Sequence, residues 1–141
     1  MAIDWDRLAD RYAQLIQAGP RSQPELSAID DLLGEAASGF PKNRVPDLAW
    51  FVAALNEPRK KWFVAKTLER VNPVPSILLD PLLAAALEES NPSANRVFIA
   101  PCVRTFGKEA VKVRLNELAA QSERYADESL AQAMYWAEAK N

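Results

Sequence analysis

The chain has 141 residues, 49% hydrophobic and 26% charged, with 17 basic side chains against 19 acidic and no histidine. That composition excludes a disordered tail, and a net charge of −2 with a pI near 5.2 argues against holding polyanions by overall charge. One cysteine without histidine gives no intramolecular disulfide, no Cys–His nucleophile pair and no thiolate–imidazole zinc set.

The length fits one domain, long enough to bury roughly two thirds of its unfolded surface. The start, Met1-Ala2-Ile3-Asp4-Trp5-Asp6-Arg7, lacks a basic segment followed by an apolar run, so no signal peptide is expected. Leu48 to Leu55 and Leu82 to Leu87 are unbroken apolar runs, and both are far short of a membrane span. Cytoplasm is the expected compartment, with no membrane partner.

Residues 3–18 are expected to form an amphipathic helix, because Trp5, Leu8, Tyr12, Leu15 and Ile16 fall at steps of three and four. Asp4 can cap its start, and Gly19-Pro20 can end it. A second helix starts at Ser22-Gln23-Pro24-Glu25, a capping-box arrangement, with Leu26, Ile29, Leu32, Leu33 and Ala36 as its buried stripe. Ser38-Gly39-Phe40-Pro41-Lys42-Asn43 breaks it, and the seam after an N-terminal helical hairpin (residues 1–40) is placed there.

Helix pairs are expected from residue 46 onward. Residues 47–55 are almost wholly apolar, which predicts burial on more than one side. Their partner is residues 58–71, with Trp62, Val64, Ala65, Leu68 and Val71 inward. Asn72-Pro73-Val74-Pro75 is a stiff extended link, since prolines two apart forbid a continuing helix. Residues 76–89 and 92–106 make the next pair, with a reset at Asp80-Pro81 and a proline, Pro101, inside the second helix. After Gly107 come residues 108–121, carrying Ala110, Val111, Val113, Leu115, Leu118 and Ala119, and then residues 127–140. No segment alternates apolar and polar long enough for a strand. The expectation is an all-α chain.

The chain also repeats itself. Lys61-Trp62-Phe63-Val64-Ala65-Lys66-Thr67-Leu68 reads over Arg96-Val97-Phe98-Ile99-Ala100-Pro101-Cys102-Val103 at a shift of 35 residues (96 − 61). A weaker third copy lies around residues 130–136, shifted by 33 (130 − 97). Self-similarity at this period predicts stacked helical pairs.

A short helix, an Asn/Asp-Pro turn and a second helix with a basic residue and alanines resembles HEAT repeats. The resemblance covers residues 46–139, about three helix pairs, and rests on Asn91-Pro92, on Arg96 and Lys61, and on Ala65, Ala100, Leu68 and Val103. Lys60 and Asn95 stand where that family has a valine, and Ser129 where a third arginine would fall, departures that leave armadillo-like or irregular helical-repeat relatives open. The resemblance implies an α-α superhelix, a short right-handed solenoid with an N-terminal hairpin, which binds partners on one helical layer.

Carboxylates come together at Asp30-Asp31, Glu88-Glu89 and Asp4/Asp6, at helix ends or on polar faces where solvated charge is the rule, so catalysis is not expected. No phosphate-cradling glycine motif occurs, and neither cofactor nor metal is implied. The basic residues Lys61, Lys66, Arg70, Arg96 and Arg104 form a candidate stripe across repeat helices, which Arg44 would extend. The same residues have a second reading, as ties between repeats through carboxylates or helix-end carbonyls. Phe63 and Phe98, just off the inward stripe in both copies, are candidate exposed anchors, with packing between successive repeats as their second reading, while Cys102 is expected to be an inert core residue.

The function expected is a non-enzymatic module binding a protein or peptide, a scaffold or adaptor, through Lys61, Phe63, Lys66, Arg70, Arg96, Phe98 and Arg104. The alternative is nucleic acid, or another polyanion, held along the basic stripe and weakened by salt. A helical-repeat enzyme comes last, because no acid or base can be assigned.

Overall fold

A computed structural model describes residues 3–19, 21–41, 45–89, 91, 94–122, 125 and 127–138 of the chain. Among them are eight α-helices and one 3₁₀ turn, and no strand. The chain is all-α. Its contacts divide it into two compact units, Met1–Val71 and Asn72–Asn141, so the seam expected at residues 38–43 lies inside the first.

In the first unit, α1 (Trp5–Gln17) starts where Asp4 accepts the Arg7 N–H at 3.1 Å. Gly19, at φ 67°, takes the left-handed conformation that ends it. Pro20 lies outside the described residues. The capping box is present at α2 (Gln23–Ser38): the Ser22 hydroxyl accepts the Glu25 N–H at 3.3 Å, and Glu25 accepts the Ser22 N–H at 3.1 Å. Two apolar residues leave their expected faces, since Ile16 is 46% exposed and Leu26 47%. Each stands at the edge of its stripe, where a hundred-degree step per residue turns the side chain away from the packed face.

Helix α3 (Val45–Ala54) buries Leu48, Phe51 and Ala54. α4 (Lys61–Leu68) is shorter than the expected 58–71, because both its ends are wound as tighter turns. Lys60 N–H bonds the Glu57 carbonyl before it, and the Arg70 and Val71 N–H groups bond Thr67 and Leu68 after it. α4 packs against α1, α2 and α3. Aromatic rings join these elements: Trp5 meets Phe51 at 4.7 Å, Phe40 meets Phe51 at 4.7 Å, and Phe63 lies 5.9 Å from Tyr12 and 6.2 Å from Trp50. The N-terminal hairpin therefore closes on α3 and α4 through an aromatic core.

The second unit has an aliphatic core. The 3₁₀ turn Ser76–Leu78 runs into α5 (Leu79–Glu88), and the change of winding marks the expected reset. Pro81 falls in the first α-turn, where its missing N–H leaves no bond unmade. α6 (Arg96–Phe106) contains Pro101 without ending there. Gly107, at φ 89°, is the single residue between α6 and α7 (Lys108–Ala120), a conformation a side chain at Cβ would oppose. α8 is Asp127–Glu138. All four helices touch one another around Leu82, Leu83, Leu87, Phe98, Ile99 and Leu115. Val113, expected with the apolar set of α7, is instead 58% exposed.

The repeat has a physical counterpart in burial. Phe63 and Phe98 are both at 0% exposure, as are Val64 and Ile99, and Thr67 and Cys102. Moving on by another 35 residues reaches Ala133 and Ala137, also fully buried. A shift of 33 instead sets exposed Ala131 over buried Phe98.

Candidate functional site

On α8 the buried residues Ala133 and Ala137 stand one turn apart, which throws Tyr135 outward at 60% exposure. Tyr135 meets Trp136 edge-on with ring centres 4.9 Å apart. The exposed guanidinium of Arg96, opening α6, lies 5.7 Å from the Trp136 ring centre, within cation–π reach. Alongside runs a shallow concavity of about 550 Å³ lined by Glu128, Ala131, Gln132 and Tyr135, which share one face of α8.

Phe63 and Phe98 require correction as anchors. Both are fully buried, Phe63 among the aromatic rings of its unit, so neither ring is presented to a partner. Trp62, expected inward, is only half-buried; it is Phe63 that fills the core. The cations of the first unit diverge. Lys61 lies 5.0 Å from the Trp62 ring centre, Lys66 pairs with Glu69 at 3.4 Å, and Arg70 turns to α2. There the Arg70 guanidinium donates to the Asp30 carboxylate at 2.6 Å and to the Asp30 carbonyl at 3.2 Å. In the second unit Arg96 and Arg104 are both exposed, near opposite ends of α6. Arg44 lies outside the described residues, as does Pro92 of the Asn91-Pro92 turn.

Several contacts went unnoticed in the sequence. Arg114 holds Asp80 with two parallel bonds of 2.8 and 2.7 Å, tying α7 to α5, and its guanidinium keeps the Asp80 carboxyl below the usual carboxylate range. Lys112 and Lys108 both reach Glu138, whose pKa is lowered chiefly by the bond from Lys112. The Ser129 hydroxyl donates to the Glu89 carbonyl at 3.4 Å, a tie from α8 to the end of α5. One signal was available for the Arg114–Asp80 pair, which stands 34 residues apart, close to the repeat period.

Three of the clustered carboxylates have structural employment. Asp4 caps α1 and Asp30 holds Arg70. Asp6 accepts from Lys60 at 2.8 Å and from the Trp50 indole at 3.0 Å, and these bonds hold its carboxyl low. A groove of about 1050 Å³ between α1 and α2 carries carboxylates but has no aromatic in its lining. Among the described residues no group of histidine, cysteine, aspartate and glutamate could hold a metal ion, and no helix is long and apolar enough to cross a membrane. Burial pushes the Cys102 thiol far up, so it stays protonated and unreactive.

No family model, no curated protein and no solved structure matches this chain.

Proposed function

We propose that the chain is a non-enzymatic, HEAT-like helical-repeat module that binds a protein or peptide on the surface shared by α6 and α8. The observation that carries this reading is the Arg96–Trp136–Tyr135 cluster beside the concavity on α8. Arginine, tryptophan and tyrosine supply most of the energy at protein interfaces, and rigid rings on a helix lose little entropy on binding. The repeat side of the reading is supported by the fully buried positions 63, 98 and 133, and 67, 102 and 137, which recur every 35 residues. A buried, protonated Cys102 fits a reducing compartment, and the cytoplasm is where the reading places the module.

The test is a tagged pull-down from source-cell lysate, with and without nuclease, at low and high salt. A discrete protein should survive nuclease and high salt, and should be lost with Arg96→Glu combined with Tyr135→Ala. Recovery of nucleic acid alone, falling away as salt rises, would replace this reading with polyanion binding. A partner held undiminished by the double variant would move the site elsewhere.

A further inference from the structure

We propose that the groove between α1 and α2 is a second docking surface, fitted to a positively charged amphipathic helix of a partner protein. It lies in the first unit and does not depend on the α6–α8 surface. Its floor is apolar: α1 contributes Leu8 and Leu15, two turns apart, and α2 contributes Ala28 and Leu32, one turn apart. Its walls are acidic. Five carboxylates line it against two arginines, Arg7 and Arg11, leaving the lining at −3.

The charge pattern identifies the occupant. Residues 3–38 hold seven carboxylates and three arginines, a net of −4, while the remainder of the chain is at +2. On α2, Asp31 and Glu35 stand at i and i+4, where like charges repel. Asp6 and Asp10 do the same on α1, and among the described residues only Asp6 of these four has a counter-ion, Lys60. Asp10, Asp31 and Glu35 are all exposed and join no ion pair among the described residues. A helix with leucines on one face and lysines at its flanks would cover the floor and bring cations to these carboxylates, the stems lying along the edges of the apolar floor.

The probe is a fluorescein-labelled peptide of leucine and lysine in helical amphipathic order, with a leucine–glutamate peptide of the same pattern as its control. Fluorescence anisotropy on the full chain should detect binding of the lysine peptide only. Asp31→Asn with Glu35→Gln should weaken it about tenfold, whereas Glu109→Gln with Glu117→Gln, an equal change of net charge, should leave it within about twofold. Amide shifts in an NMR titration should be confined to α1 and α2. The groove variant should melt at or above the parent's temperature, because it relieves a repulsion, so lost binding would not be lost folding. Absence of binding, equal weakening in both double variants, or shifts outside α1 and α2 would each overturn the proposal.

Discussion

Thr67 and Cys102 stand 35 residues apart (102 − 67), fully buried on α4 and α6, and they meet the enclosure differently. The Cys102 thiol points to the Phe98 carbonyl one turn back, at 3.5 Å. The Thr67 hydroxyl is buried with no hydrogen-bond partner among the described residues. A desolvated hydroxyl without a partner costs about 1–3 kcal/mol, and valine has the same shape without that cost. Thr67→Val is therefore expected to raise stability by about 1 kcal/mol, read as a higher urea midpoint at unchanged slope. A lower midpoint would mean that the hydroxyl is satisfied in solution. Neither this defect nor the burial of Phe63 could be read from the sequence. Trp62 to Ala65 are four successive apolar residues, which span more than a full turn and so define no inner face. Ser22 and Glu25 were readable because a capping box is a local device whose partners lie three residues apart.

Between elements, the Arg114–Asp80 pair is the best-formed polar tie, because the planar guanidinium meets both carboxylate oxygens. Both side chains remain partly exposed, so solvent screening keeps the contribution of the pair small. Its pH dependence has a definite sign. Asp80 has a folded pKa below its unfolded one, so its contribution is fully present above about pH 4 and is lost as pH falls through the lower, folded value. Asp80→Asn is expected to lower stability at neutral pH, with the gap between variant and parent closing in acid. Urea midpoints for the two proteins at neutral and strongly acidic pH measure that gap. A gap unchanged in acid would show that Asp80 acts by packing rather than by charge. Elements of this kind were half visible in the sequence. The order of the helices and their approximate ends follow from periodicity and punctuation, but the partners of Asp6, Asp30 and Asp80 lie 54, 40 and 34 residues away. Only tertiary packing brings them together.

At the scale of the whole molecule, the all-α class was readable and the division of the chain was not. Gly39 to Pro41 and Asn72 to Pro75 are turn signals of similar strength, and local sequence does not say which one separates cores. The answer lies in long-range aromatic contacts, Trp5 and Phe40 on Phe51 and Tyr12 near Phe63, which draw the N-terminal hairpin into the first unit. The two units have chemically different cores, one rich in aromatic rings and the other in leucine, and each fully buries a phenylalanine, Phe63 in the first and Phe98 in the second. Truncating a buried phenylalanine to alanine costs about 3–5 kcal/mol. If the units open separately, that loss should be confined to the unit in which it is made. Phe98→Ala in the full chain is expected to speed amide hydrogen exchange in α5 to α8 by roughly two to three orders of magnitude while α1 to α4 keep their protection, and Phe63→Ala to do the converse. Hydrogen exchange followed by NMR resolves the helices individually. Loss of protection across all eight helices in both variants would instead make the chain a single cooperative unit, with the boundary at Val71 and Asn72 a division of contacts but not of stability.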